Sequence, residues 1–351
     1  MNKLSQKQQK IINIILKKGT MQSSGIYSEM LKSGEDISLV TIKRTLSEMT
    51  GQGILISAGS GRSTSYNISA VGRIFAEINA KEYCSIEPDK RHGLTCYNFD
   101  LFASLPSDIF TDSELKTLND ATIRYESRSK GLSSTIQKKE LERLIIELSW
   151  KSSKIEGNTY TLLDTEKLIL ENKTAVGHDR KEAQMILNHK DAFNFVRKNS
   201  ELFKTITKRN LEELHAILVK DLSVGLGLRK GLVGVVGSAY QPLDNIYQIT
   251  DAVEALSKAV SSVSTAYAKV LIALLGISYI QPFEDGNKRT ARLAANAVLL
   301  SYGLAPLSYR SIDENDYREA MLVFYELNSI MPLKKIFIEQ YDFATQNYAV
   351  K

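Results

Sequence analysis

A chain of 351 residues, 43% hydrophobic and 24% charged, is long enough for two or three domains with real cores, which excludes wholesale disorder. Its two cysteines, Cys84 and Cys96, stand too far apart for a CxxC pair, which argues against a disulfide scaffold or zinc ribbon and fits a reducing cytoplasm; no apolar run approaches the ~20 residues that span a bilayer, so no membrane partner is expected. The net charge of +5 is confined to the first fifth: residues 1–70 hold nine Lys/Arg and four Asp/Glu, and the rest holds 36 of each, which points to a nucleic-acid footprint at the amino end.

The first predicted helix runs from Ser5 to Lys18, with Ile11, Ile12, Ile14, Ile15 and Leu16 clustered, and ends at Gly19. Its apolar run is short and broken by Asn13, so it makes a poor signal peptide. Ser23 or Ser24 caps a second helix through Leu31. Ser38 precedes a third, with Val40, Ile42, Leu46 and Met49 on its inner side, closed by Gly51 and Gly53. A strand over Ile54–Ala58, a turn at Gly59–Arg62 and a returning strand over Thr64–Ile68 follow. Three helices and a hairpin resemble a winged helix-turn-helix. That resemblance implies a third helix in the major groove and a hairpin tip on phosphates, with Thr41, Lys43, Arg44, Ser47 and Arg62 facing DNA. A winged helix used for protein contact or dimerisation fits the same pattern.

Val71–Ala80 is expected to be helical, and residues 84–106 mix Pro, Asp, Gly and aromatics without period, as expected of a linker that packs on its neighbours. From Thr111 the pattern is helical almost throughout. Thr111-Asp112-Ser113-Glu114 reads as a capping box. Lys139–Ser153 follows, with Leu141, Leu144, Ile145 and Leu148 on one face, and runs into Glu156-Gly157-Asn158. A carboxylate at a helix C-terminus is unfavourable by up to ~1 kcal/mol unless a cation compensates. Glu156 is therefore either an ordinary exposed side chain or half of a pair with a distant arginine.

Three further helices are expected over Leu162–Glu171, Lys181–Lys198 and Thr207–Leu222. His178, His189 and His215 lie among them without metal-ligand spacing, and His92 stands alone. The glycine-rich Gly225–Gly237 lacks the GK[ST] of a Walker A loop; Gly231–Gly237 reads as a short hairpin, either a plain surface feature or an edge for an extended peptide, and Pro242–Asn245 reads as a turn. Helices over Asp313–Asn328 and Leu333–Asn347 should close the core through Phe324, Leu327, Ile336, Phe337 and Phe343.

Gln281-Pro-Phe-Glu-Asp-Gly-Asn-Lys-Arg-Thr-Ala-Arg292 is the most informative stretch. The apolar run Val270–Ile280 precedes it, and Arg292–Ser301 continues as a second buried helix ending before Gly303. A polar loop between two core helices leaves backbone N–H groups free at the second helix start, where anions bind. Arg289 and Arg292 share one face of that turn, beside the hard carboxylate of Asp285. The residues alone fit two readings: a Mg–nucleotide site, or a capped helix start with two solvated arginines.

The stretch resembles the Fic (fido) signature HxFx[DE]GNGRxxR, matched here by Phe283, Asp285, Gly286, Asn287, Arg289 and Arg292. Ser152…Glu156-Gly157 is similar to the family's inhibitory pattern [ST]xxxE[GN], and Ile186–Lys190 to the segment after it. The Gly231–Leu243 stretch falls where the family keeps a substrate-docking flap. The resemblance covers about residues 112–345. It implies a mostly α protein: a winged helix-turn-helix domain over 1–70, a connecting segment over 71–110, and an all-helical Fic domain with a short β-hairpin flap over 111–351, its inhibitory helix at about 139–157. It further implies ATP or another nucleotide as ligand, Mg²⁺ on Asp285, an anion nest at Gly286 and Asn287, phosphate contacts from Arg289 and Arg292, and a protein hydroxyl as target. Phe283 and Lys288 would line the nucleotide, and a looser alignment places Asn328 near the adenine. Ser152, Glu156 and Gly157 would form the inhibitory element, with Glu156 on Arg292 in place of the γ-phosphate.

Two positions depart from the pattern. Gln281 stands where the family has its histidine base; a carboxamide does not titrate near neutral pH, and losing a general base costs about 10²–10⁴-fold. Lys288 stands where AMP-transferring members have glycine, and the related, kinase-like Doc branch has lysine there. The expectation is a nucleotide-binding relative of protein adenylyltransferases with impaired AMP transfer. The alternatives are a Doc-like kinase, a de-AMPylating hydrolase, or a non-enzymatic DNA-binding regulator that uses the Fic fold as sensor or homodimer scaffold.

Overall fold

The computed structural model describes residues 4–350, which fall into two compact units. One gathers the described residues up to Pro106 with Gly234–Gln241 and Glu319–Leu333; the other gathers Ser107–Val233, Pro242–Arg318 and the described residues from Lys334 onward.

The first unit opens with α1 (Gln6–Lys18), β1 (Met21–Gln22), α2 (Ser23–Lys32), α3 (Leu39–Gly51), β2 (Leu55–Ala58) and β3 (Ser65–Ile68). Ser5 starts α1 with a reciprocal capping box to Gln8, and Ser38 Oγ accepts the Thr41 N–H at 3.2 Å to start α3. α2 begins at Ser23 with Gln22 in the cap position and no side-chain cap bond, so neither serine caps it. The three strands form an antiparallel sheet in the order β1-β3-β2, with Met21 opposite Tyr66 and Leu55 opposite Ile68. Ile11, Ile12, Ile15, Ile26, Met30, Ile42, Leu46 and Met49 fill the core. Val40, expected inside, is 77% exposed; the inner stripe of α3 runs through Ile42, Thr45, Leu46 and Met49 instead.

Residues 71–106 pack within this unit. α4 (Ala70–Ile74) and α5 (Ala80–Cys84) replace the single helix expected over 71–80. The break has a visible cause. Gln9 Nε2 donates to the Phe75 carbonyl at 3.1 Å and the Glu77 N–H donates to Gln9 Oε1 at 2.9 Å, so a side chain takes bonds that the helix would need. Ile74, Ala76, Leu101 and Phe102 are buried. Glu326 accepts from Tyr83 Oη at 2.7 Å, Arg91 Nη2 at 2.9 Å and Ser238 Oγ at 2.6 Å, which ties three sequence-distant stretches of this unit together.

The second unit is built on α6 (Asp112–Ser129), α7 (Ser134–Ile155), α8 (Leu162–Glu171), α9 (Arg180–Lys198), α10 (Lys208–Leu218), α11 (Ile246–Ser262), α12 (Ala266–Ile280) and α13 (Asn287–Ser301). α14 (Glu314–Leu327) and α15 (Met331–Asn347) each have residues in both units. α12 is apolar all round and buried from Val270 to Ile280, as such a helix must be. α13 packs against α12, α9, α10 and α7. Gly276 lets α11 approach, since a Cβ there would lie 2.3 Å from Leu256 Cδ1. α11 itself had no counterpart in the expected elements.

The expected hairpin over Gly231–Gly237 is absent: those residues form no strands. Three glycines in seven residues weaken any ladder, and the chain closes instead into a turn, Ser238 N–H to the Val235 carbonyl at 3.1 Å. The only pairing near it, among the described residues, is a single parallel bridge between Cys96 and Gln241.

Candidate functional site

The loop between α12 and α13 is held from below through its carbonyls. α12 ends on Gln281, which turns the chain with φ 51° and ψ 59°; its N–H still reaches the Ile277 carbonyl at 3.1 Å. Arg229, 2% exposed, donates Nε to the Gln281 carbonyl at 2.6 Å and its backbone N–H to the Pro282 carbonyl at 3.0 Å. The Asn287 amide clamps Phe283 in both directions at 2.8 Å. His215 Nε2 donates to the Asp285 carbonyl at 2.9 Å. Thr290 donates N–H at 2.8 Å and Oγ at 2.9 Å to the Gly286 carbonyl. With these carbonyls engaged, the first N–H groups of α13 are left at an uncapped helix start: Gly286, at φ 78°, offers no side-chain cap. Such a start is an anion site by geometry and by dipole.

Two arginines lie beneath it, both buried rather than solvated: Arg289 is 2% exposed and Arg292 0%. Arg289 Nη2 lies 3.2 Å from Asp285 Oδ2. Arg292 donates Nε to Ser152 Oγ, Nη2 to the Ser152 carbonyl and Nη2 to Glu156 Oε1, each at 2.8 Å, and its guanidinium lies 5.6 Å from the Tyr317 ring centre. Lys288 Nζ reaches the second carboxylate oxygen of Glu156 at 3.4 Å. Burial alone would raise the Glu156 carboxyl, but Arg292, Lys288 and Arg289 outweigh it and hold the group below the usual range. The α7 terminus has its own cation, since Arg318 donates Nε at 3.0 Å and Nη2 at 2.5 Å to the Ile155 carbonyl.

The remaining expected site residues are placed as follows. Phe283 is fully buried and stacks on the His215 ring, centres 3.8 Å apart, so its ring faces the core. Asp285 directs a 65% exposed carboxylate outward. Gln281 Nε2 donates to the Ser278 carbonyl at 2.6 Å. Gly157 follows α7 with φ 97°. Asn328 belongs to the other unit, is fully buried, and accepts from Asn98 Nδ2 at 2.9 Å. On α3, Lys43, Arg44 and Ser47 are exposed while Thr41 is half-buried, its hydroxyl 2.9 Å from Ser38 Oγ. Arg44 also binds Glu48 at 2.9 Å, and Arg62 is exposed in the turn between β2 and β3.

Arg229 and Tyr317 are not singled out by the sequence, and His215 is weighed there only as a metal ligand. A lone histidine on an amphipathic helix beside Leu211, Leu214 and Leu218 carries no signal that separates it from core. His189 is fully buried, and burial followed by Arg292 and Arg289 holds its pKa well below the ordinary value, so the ring is neutral. Among the described residues, no group of three or more His, Cys, Asp or Glu is gathered as for a metal held by protein alone, and no helix is long and apolar enough to cross a membrane.

This helix–loop–helix has known counterparts. Residues 205–299 match the model of the Fic/DOC family, so the chain carries a Fic/DOC-family domain. It is 30% identical over 177 residues to a protein adenylyltransferase Fic of Nematostella vectensis; the match covers 48% of this chain and 41% of that protein, so the chain spans less than half the length of this relative. In fold it is similar to a Fic domain containing signaling protein from Bacteroides thetaiotaomicron, at 21% identity and TM-score 0.55, covering 66% of this chain and 94% of that one. It is also similar to Fic-1 from C. elegans, at 18% identity and TM-score 0.58, covering 67% and 72%. A Fic family protein from Desulfovibrio desulfuricans gives 19% identity and TM-score 0.57, covering 69% and 75%.

Proposed function

We propose that the start of α13 binds ATP with Mg²⁺, that Glu156 holds the site closed, and that Gln281 leaves the chain impaired as a protein adenylyltransferase. The observation that carries this reading is the Glu156 carboxylate 2.8 Å from the fully buried Arg292. That guanidinium borders an uncapped helix start, so an anion arriving there competes with a carboxylate already in place. The name of the Nematostella relative supports AMP transfer to a protein as the ancestral chemistry. The Asp285 carboxylate suits Mg²⁺, which is commonly held by one or two carboxylates together with substrate phosphates; bound there, the ion would neutralise phosphate charge. Nucleotidyl transfer rests mainly on positioning and charge neutralisation. α13 and its arginines supply both, but Gln281 supplies no base.

Calorimetry of ATP, with and without Mg²⁺, tests the reading on the native chain and on Glu156→Gly. Glu156→Gly should bind about tenfold or more tightly than the native chain, since a hydrogen bond to a charged group is worth ~1.5–3 kcal/mol. Negligible binding by both would reject a nucleotide site and favour the scaffold reading.

A second activity has its own support. The exposed Lys43, Arg44, Ser47 and Arg62 belong to the segment that carries the whole net charge, and α1–α3 with the three-stranded sheet have the element order of a winged helix. We infer that this unit binds DNA through α3. Binding to DNA upstream of the chain's own gene should weaken steeply with salt and fall in Lys43→Ala/Arg44→Ala. Binding that is unaffected by both would remove the inference.

A further inference from the structure

The floor of the 281–286 loop contains a histidine that neither the signature nor the inhibitory pattern includes. His215, in the last turn of α10, is fully buried. Its ring lies parallel to that of Phe283, with 5° between the planes and 3.8 Å between the centres. Its Nε2 is 2.9 Å from the Asp285 carbonyl. We propose that His215 is a positioning residue for the nucleotide site: it fixes the Asp285–Gly286 peptide, and through it the outward aim of the Asp285 carboxylate and of the first N–H groups of α13. The proposal rests on the reading of the site given above.

The carbonyl of residue 285 and the N–H of residue 286 belong to one planar peptide, so holding one end orients the other. His215 holds the oxygen. At the other end the Gly286 N–H donates to Asp285 Oδ1 at 2.6 Å, which leaves Oδ2 beside Arg289. The following residue is a glycine at φ 78°, the residue type least able to resist rotation of that peptide by itself. A Cβ at 286 would only touch its neighbours, 3.4 Å from Val219 Cγ1 and 3.7 Å from His215 Cδ2, so it is the positive φ that favours glycine there. A carbonyl accepts only from a protonated nitrogen, so His215 carries its proton on Nε2. Nδ1 is buried without a hydrogen-bond partner, and a second proton there would be a buried charge beside Arg289. His215 is thus a fixed donor. Turned over, the peptide would present its oxygen to the incoming phosphate.

The test uses the full chain carrying Glu156→Gly, so that the competing carboxylate is gone. His215→Phe keeps a flat ring against Phe283 and loses the donor; His215→Gln keeps an N–H donor and loses the ring. ATP affinity is read by calorimetry with and without Mg²⁺, and folding by melting temperature. His215→Phe should bind ATP about tenfold more weakly, as loss of one buried hydrogen bond implies, and His215→Gln should recover most of the affinity whichever variant melts lower. Equal affinity in His215→Phe and its parent overturns the proposal, as does a His215→Gln as weak as His215→Phe. No ATP binding by the Glu156→Gly parent overturns the nucleotide reading itself, and this inference with it. Nitrogen-15 spectra of the imidazoles in the native chain need no variant to fold: His215 should show a protonated Nε2 and a bare Nδ1, and the opposite tautomer overturns the proposal.

Discussion

Gln281→His, introduced into a chain that also carries Glu156→Gly, should raise AMP transfer to protein by about 10²–10⁴-fold over Glu156→Gly alone, the usual worth of a general base. Position 281 is prepared for such a residue. It closes α12 in a left-handed conformation, φ 51°, in which histidine is among the better-tolerated side chains. Its backbone is anchored on both sides, by the Ile277 carbonyl and by Arg229 Nε at 2.6 Å. The present carboxamide spends its N–H₂ on the Ser278 carbonyl at 2.6 Å and has no basic atom. Labelling of cell lysate with α-labelled ATP measures the gain. Robust labelling by the native chain would contradict a disabling role for Gln281, and no gain in the double variant would show that more than the base is missing. Transfer of γ-label in place of α-label would instead mark a kinase, consistent with Lys288 redirecting the triphosphate.

The candidate phosphate site is contiguous in the chain, so its spacing could be read directly. Phe283 to Arg292 lie in one loop and one helical turn, so their spacing alone placed the arginines on a shared face. Their burial was not legible. That depends on α9, α10 and α7 packing around α13, contacts made by residues up to about 140 positions away. Glu156 was legible as a misfit, a carboxylate at a helix end that lacked a cation. Two arginines resolve it: Arg292 on the carboxylate, the partner that the family resemblance implies, and Arg318 on the preceding carbonyl, which no pattern in the sequence identifies.

The stretches least legible in the sequence share a cause. Residues 71–106 have no hydrophobic period because single buried side chains and polar ties, such as Gln9 to Phe75 and Glu77, organise them one contact at a time. The glycine-rich stretch after Lys230 suggested a hairpin by composition, yet the carbonyls at its limits, Gly231 and Leu243, accept from the same arginine, Arg229. The excursion is therefore closed at its base by a side chain rather than by a ladder. A buried arginine bonding to carbonyls has no sequence signature, and neither does a histidine that orients a peptide.

Arg292→Leu should destabilise the second unit by ~3–5 kcal/mol and abolish ATP binding, because it removes one partner of a buried pair and leaves the other behind. Arg292 is fully buried and donates three hydrogen bonds. Leucine has no donors, so Ser152 loses both of its bonds and Glu156 keeps only Lys288 at 3.4 Å. Adding Glu156→Leu to Arg292→Leu should recover part of the loss, since the stranded carboxylate is then gone too; the two changes are in contact and should be non-additive by about 0.5–3 kcal/mol. Urea denaturation of the four chains closes the cycle. The pH dependence follows from the sign of the Glu156 shift. Its folded-state pKa lies below the ordinary value, so its stabilisation is complete above the unfolded pKa, about 4.3, and is lost as pH falls through the folded one. The gap between the native chain and Arg292→Leu should therefore be widest at neutral pH and narrow below about pH 4. A gap that stays constant into acid, or strictly additive variants, would mean that Glu156 and Arg292 are neighbours without being a lock.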